Sequence, residues 1–285
     1  MTISEKWKSL LRIAGVSAAV AVVGTGFLLA ERSLRTSEQP IMGPLVLEDI
    51  PVWVDQSPLL HEKITTAVGG ATFPLEEDVA SGLAAGLSGL VWLEDVQVRV
   101  TPEDVRIRGL WRRPAALLAV GSEKFYVDQD RVVLDYVDLP YLGVKWVFGV
   151  QLPKVPLPGE VLDRGDLQEA IDLLALLEYM DIRSTPAKPL LAEIEGVDVD
   201  NYQGRRNPHK PHVVLVAKDG TQVIWGAEIG AYGRYVEAKD EEKLAGLYSY
   251  YKECGTLMGL VKYIDLRALQ SEVPSPIDLV PATGR

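Results

Sequence analysis

An α+β fold behind one N-terminal transmembrane helix is what this sequence predicts, and three observations carry the reading. Residues 13–30 form an uncharged run of 18 residues. Residues 45–137 alternate between strand-like and helix-like periodicity. A proline-rich break at residues 152–159 is followed by a second helix-and-strand succession that ends near Leu266. Together they give a short tail (1–12), a membrane helix (13–30), a polar linker (31–44), two mixed lobes (45–140 and 141–270) and a tail rich in proline (271–285).

The uncharged run would span about 27 Å as an α-helix, near the thickness of a bilayer's hydrocarbon core. Ile13, Val20, Phe27 and Ala30 mark its length. Lys6, Lys8 and Arg12 precede it, which favours a cytoplasmic N-terminus and places everything after the helix outside. The run exceeds the core of an ordinary signal peptide, and Leu28-Leu29-Ala30 is a poor cleavage site, so an uncleaved anchor in the bilayer is expected.

The 285-residue chain is 47% hydrophobic and 24% charged, a globular composition. Five of its 29 bases and two of its 40 acids fall in residues 1–35, leaving 24 bases against 38 acids beyond them, a net charge of −14. Phosphate backbones demand clustered positive charge, so nucleic acid is excluded as a partner. One cysteine, Cys254, rules out an intramolecular disulfide.

In the first lobe, residues 45–54 read as extended, and Pro51 restricts them to an edge or an irregular strand. Ser57-Pro58 caps a helix over 59–68 that Gly69-Gly70 ends. Residues 76–90 form a second helix, with Glu76, Glu77 and Asp78 at its positive end and an apolar stripe of Val79, Leu83, Leu87 and Leu90. Strands follow at 96–100, 105–108, 114–120, 124–127 and 131–137, with a turn at Asp128-Gln129-Asp130. Trp92 and Trp111 are expected in the core, and Arg112-Arg113 on a solvated face.

The second lobe, joined through the proline-rich break, opens with an amphipathic helix over 166–180, whose face is Leu167, Ile171, Leu174 and Leu177 or Met180. Strands at 194–199, 212–216 and 222–225 follow, the last two joined by an Asp219-Gly220 hairpin turn. A helix over 241–251 and a strand over 260–266 complete it.

No catalytic pattern emerges. His209-Lys210-Pro211-His212 has ligand spacing but no third ligand nearby, so a solvated loop is expected and no metal or other cofactor is assigned. Gly226, Gly230 and Gly233 do not make a dinucleotide fingerprint, and Gly86-Leu87-Ser88-Gly89 is not a nucleophile elbow. A carboxylate pair for glycan hydrolysis depends on a distance that sequence does not supply. The expectation is a non-enzyme without a small-molecule substrate.

Several segments carry a resemblance. They are Trp92-Leu-Glu-Asp-Val-Gln-Val-Arg-Val100, Val105-Arg-Ile-Arg108, Trp111-Arg-Arg-Pro-Ala-Ala116, Phe125-Tyr-Val-Asp-Gln-Asp130, the hairpin over 213–226 and Tyr263-Ile-Asp-Leu-Arg267. In this order, behind one membrane helix, they resemble the bacterial FtsQ/DivIB division proteins, over most of residues 1–267. Residues 45–140 would be the POTRA-like domain of that family and 141–270 its β domain. Arg131 stands where the family has glycine, and Ala268 where it often has an aromatic residue. The resemblance implies a cell-division scaffold without an active site, which recruits FtsL- and FtsB-like single-span proteins and helps control septal peptidoglycan synthesis. A membrane-anchored POTRA-like adaptor for envelope assembly or secretion is the alternative, and an envelope hydrolase a third reading.

Such a scaffold works by strand addition, in which a partner's extended segment completes the ladder of an open sheet edge. The last strand is the candidate edge, with Tyr263, Ile264, Asp265 and Arg267 as candidate partner contacts and Tyr263 and Arg267 as anchors.

Overall fold

The structure is a computed structural model that describes residues 40–268. It is α+β, with two sheets of mixed direction. The membrane helix and its markers Ile13, Val20, Phe27 and Ala30 lie outside the described residues, as does the C-terminal tail (271–285). Among the described residues no helix is long and apolar enough to cross a membrane.

The first sheet has the order β2-β1-β4-β3. Its strands are β1 (Met42–Leu47), β2 (Thr72–Pro74), β3 (Leu93–Val100) and β4 (Val105–Trp111). Between β1 and β2 lie a helical turn α1 (Val52–Asp55) and the helix α2 (Pro58–Val68); α3 (Glu77–Leu87) precedes β3. The Ser57 hydroxyl accepts from Leu60 N–H, Pro58 opens α2, and Gly69 ends it at φ 81°. Ile64 of α2 and Leu87 of α3 pack with Leu93 and Ile107 of the strands.

The second sheet has eight strands in the order β12-β11-β10-β9-β8-β5-β6-β7. They are β5 (Ala116–Val120), β6 (Glu123–Val127), β7 (Val133–Asp135), β8 (Lys145–Phe148), β9 (Ile194–Asp198), β10 (Val213–Ala217), β11 (Gln222–Gly226) and β12 (Tyr263–Asp265). The sheet is mixed: four of its ladders are antiparallel, in line with the expectation of a mostly antiparallel sheet, while β5–β8, β8–β9 and β11–β12 pair in parallel. Helices α4 (Gly165–Ser184) and α6 (Asp240–Cys254) supply the main core, with the turn α5 (Tyr232–Tyr235) between. Leu167, Ile171 and Leu177 of α4 and Leu247 of α6 share that core with Phe125, Val197, Leu215 and Ile264.

The chain changes sheets at Arg112–Ala115. The sequence reading groups β5–β7 with the strands before them in residues 45–140, yet they pair with β8 and through it with the later strands. The central β8 is what draws them there. The end of the proline-rich break folds back along β7, where Gly159 N–H donates to Val133 O at 2.8 Å and Val133 N–H to Glu160 O at 2.9 Å.

The two sheets meet through a third apolar cluster. Leu117, Tyr126 and Leu134 on the sheet face away from α4 pack with Trp92, Val54 and Leu60, with Trp53 and Trp111 alongside. Trp53 meets Trp111 edge-on at 6.4 Å, and Trp92 meets Tyr126 edge-on at 6.2 Å. Such pairs contribute about 0.5–1.5 kcal/mol beyond area burial. Tyr126 donates its hydroxyl to Val137 O at 3.0 Å, and burial pushes its pKa up to about 12.

Candidate partner-binding edge

The two margins of the eight-stranded sheet differ. At β7 the backbone is occupied: besides the bonds to Gly159 and Glu160, Val132 bridges Val161 and Leu162 N–H donates to Arg131 O at 3.0 Å. At β12 only the inner side is paired. Gln222, Val223 and Ile224 register with Tyr263, Ile264 and Asp265. Gln222 N–H donates to Lys262 O at 3.3 Å and Leu266 N–H to Ile224 O at 3.0 Å. In a parallel ladder the residues that bond alternate with those that do not. Lys262, Ile264 and Leu266 therefore face β11, and the N–H and C=O groups of Tyr263 and Asp265 point away from it. No other described strand lies on that side.

Side chains alternate in the other sense. Tyr263 is 48% exposed, whereas Ile264 is fully buried in the core. Ile264 therefore locks β12 onto the body of the protein and does not present its side chain to a partner, because the strand's pleat turns it into the main core. Asp265 and Arg267 are partly buried and form an ion pair at 2.7 Å, and Arg267 N–H also donates to Asp265 Oδ1 at 3.0 Å. Burial pushes the Asp265 carboxyl up, but the bonds and charge from Arg267 outweigh it and hold the group below its ordinary value.

The far end of β12 is clipped by the loop between β11 and α6. Ala238 N–H donates to Arg267 O at 2.9 Å. Beneath the clip, Lys243 is fully buried and pairs with Glu237 Oε2 at 2.8 Å. Its ammonium also sits 5.2 Å from the centre of the Trp225 ring, within cation–π range. Glu237 also accepts from Ala227 N–H at 2.9 Å. Gly226 has φ 102°, and a Cβ there would come within 2.3 Å of Glu237 Oε2 and 2.6 Å of Arg267 Cγ. Glycine is what lets the strand end, the loop and Arg267 converge.

Sequence reasoning missed Lys243 and Glu237. The available signal was a lysine on the stripe of α6 that otherwise carries Leu247 and Tyr250 at helical spacing. Two further expectations are corrected. Arg112 is not solvated: it is partly buried and pairs with Glu94 and Asp128, whereas Arg113 is exposed as expected and pairs at the surface with Glu178 at 2.9 Å. Nor do the two histidines share a solvated loop. His212 is buried, with Nδ1 2.9 Å from Glu228 Oε1, and only His209 is exposed. Trp92 is fully buried, as expected. Among the described residues no group of three His, Cys, Asp or Glu side chains is placed to hold a metal ion.

No family model matches the chain, and no curated protein matches it.

Proposed function

We propose that this chain is a non-catalytic, membrane-anchored scaffold of the bacterial division machinery, which holds its ectodomain outside the cytoplasmic membrane and recruits FtsL- and FtsB-like single-span proteins to septal peptidoglycan synthesis. The observation that carries the proposal is the contrast between the margins of the eight-stranded sheet. One is closed by the chain's own 159–162 segment, while the other leaves the outward backbone groups of Tyr263 and Asp265 without a described partner. Open backbone groups at an edge supply affinity for an added strand, and the flanking side chains supply selectivity. Tyr263 offers an exposed aromatic anchor, and the Asp265–Arg267 pair a charged one. The resemblance to FtsQ/DivIB supplies the biological setting and the class of partner. The β-α-α-β-α-β-β order of the first sheet supports a POTRA-like reading of that part.

The test is a proline substitution. In Tyr263→Pro the outward N–H is lost, while the bonds to β11 made by Lys262, Ile264 and Leu266 are kept. The full-length protein, isolated from bacterial membranes, should recover FtsB-like partners, and the variant should recover at least tenfold less at unchanged thermal stability. A fluorescent fusion of the wild type should concentrate at the division site. Equal recovery by the variant would refute the edge; a fusion spread evenly over the envelope would refute the division role.

A further inference from the structure

At eight residues, β3 is the longest strand among the described residues, and it stands at a margin of the first sheet with no described strand beyond it. Its inner side is accounted for. Glu48 N–H donates to Ile107 O, so Val105, Ile107 and Gly109 turn their backbone groups to β1, while Arg106 and Arg108 turn theirs to β3. Arg106 registers with Arg99 and Arg108 with Gln97. The N–H and C=O groups of Val96, Val98 and Val100 therefore point away from the sheet. Both ends of this open stretch are fixed. A bulge at Asp95, with φ 49°, interrupts the ladder before Val96, and Thr101 N–H turns to Asp104 O after Val100.

The stretch reads Val96-Gln97-Val98-Arg99-Val100, and this pattern is complementary to itself when run antiparallel. With Val98 opposite its own counterpart, Val96 faces Val100 of a second copy, and every open N–H and C=O of the stretch meets a partner. The half-buried valines then form cross-strand pairs on one face. On the other face Gln97 meets Arg99, an amide oxygen against a guanidinium. Sliding the pair by two residues in one direction sets Arg99 against Arg99, which is destabilising. Sliding it in the other direction drives the ladder into the bulge. Any other strand would need the same valine spacing and an acceptor opposite Arg99; a second copy supplies both by symmetry.

The neighbouring helix admits the same twofold. Residues opposite each other in a ladder point to one face, so the axis stands normal to the sheet and brings the two α3 helices side by side and antiparallel. Helix α3 lies along β3. Its Gly86 faces α2, where a Cβ would meet Ala67 O at 2.9 Å. At about 100° per residue, the opposite flank carries Ala80, Ala84 and Ser88 behind Glu77 of the first turn. Those small side chains let a second helix approach. The antiparallel arrangement sets Glu77 of one helix near the Ser88 end of the other, away from its own counterpart.

We infer that β3 pairs antiparallel with β3 of a second copy of this chain about Val98, joining the two first sheets into one. The β12 margin belongs to the other sheet, so this contact does not depend on it.

Cysteine pairing tests both register and partner. In a Cys254→Ala background, Gln97→Cys and Arg99→Cys forms of the full-length chain, differently tagged, are produced together and oxidised in detergent micelles. Facing residues of a non-bonded pair lie about 4.5 Å apart at Cα, within disulfide reach. Either variant alone leaves its thiols on a diagonal of about 7–8 Å. The mixed disulfide should therefore form at least tenfold more than either homodimer. Val98→Pro, which removes an outward N–H and keeps the bonds of Gln97 and Arg99 to β4, should lower its yield at least tenfold. In sedimentation, Gln97→Arg should weaken the dimer of the otherwise unchanged chain at least tenfold by setting Arg opposite Arg99. Gln97 is exposed, so that variant carries the test even if Val98→Pro does not fold. A chain that stays monomeric and gives no mixed disulfide, or a dimer equally strong in Gln97→Arg, would overturn the inference. A dimer lost with Tyr263→Pro alone would place self-association at β12 instead.

Discussion

The indole N–H of Trp92 donates to Asp135 Oδ1 at 2.8 Å, and this one bond ties the start of β3 in the first sheet to β7 in the second. Lys63 of α2 pairs with the other oxygen of the same carboxylate. Asp135 thus joins two elements of the first sheet's unit to the margin of the second, above an interface of four aromatic rings from Trp53, Trp92, Trp111 and Tyr126.

Removing that carboxylate leaves the Trp92 indole buried without an acceptor, a loss of about 1–3 kcal/mol. Asp135→Ala should therefore lower the midpoint of chemical denaturation, while Asp135→Asn, which keeps an acceptor oxygen, should cost less. Trp92→Ala should cost more than either, about 3–5 kcal/mol, because it also empties a fully packed site. Urea melts of the three variants decide the order.

Glu237 and Lys243 make a buried pair beneath the clip on β12. Removing one partner strands a charge in the core and typically costs about 3–5 kcal/mol, whereas replacing both with apolar residues is often neutral or better. Glu237→Leu should destabilise strongly, and Glu237→Leu with Lys243→Met should recover most of the loss. Hydrogen exchange at Leu266 and Ala238 should rise in the single variant and return toward wild type in the double.

Glu169 accepts Ile229 N–H at 2.7 Å beside Glu228 and Asp240, and burial, helped by those neighbouring charges, pushes its pKa from 4.5 up to about 7. The folded state then holds this proton more tightly than the unfolded chain. The resulting stability is fully present below pH 4.5 and is lost as pH rises toward 7. The effect is on the order of 3 kcal/mol. Asp166, held below its ordinary value by Arg164 and Arg205 against its burial, has the opposite sign and contributes only above its unfolded pKa of 3.8. In thermal melts across this window, Glu169→Gln should flatten the decline toward neutral pH and leave the loss on acidification in place.

Arg131 has φ 65°, a left-handed conformation that costs a side-chain-bearing residue about 1 kcal/mol. It ends the turn into β7. Its ion pair reaches Asp163, which is 93% exposed and contributes little. Arg131→Gly should raise stability by about 0.5–1 kcal/mol, read as a higher melting temperature.

Periodicity made α2, α3, α4 and α6 legible to within a few residues, because each buries a continuous apolar face against a sheet. The Asp219-Gly220 hairpin was legible because local turn chemistry sets it: Gly220 has φ 88°, and Asp219 accepts Thr221 N–H at 2.9 Å. The strands β2 and β8 were not. Thr72–Pro74 is three residues long, and Lys145–Phe148 has too few residues to show a period. Each is a strand only because distant chain lies beside it. Of the candidate edge, the sequence marked the segment and its exposed Tyr263 but also placed Ile264 among the contacts, since four residues do not reveal which side of the pleat faces the core.

The sequence by itself determined the α+β class, the acidic character of residues 36–285 and the main helices, because composition and helical spacing are properties of neighbouring residues. Tertiary structure alone decided that β5–β7 join the second sheet, that residues 159–162 close one margin, and that Lys243 and Asp181 lie in the core. Those outcomes rest on contacts between residues far apart in the chain, whose energies depend on burial and distance rather than on local pattern.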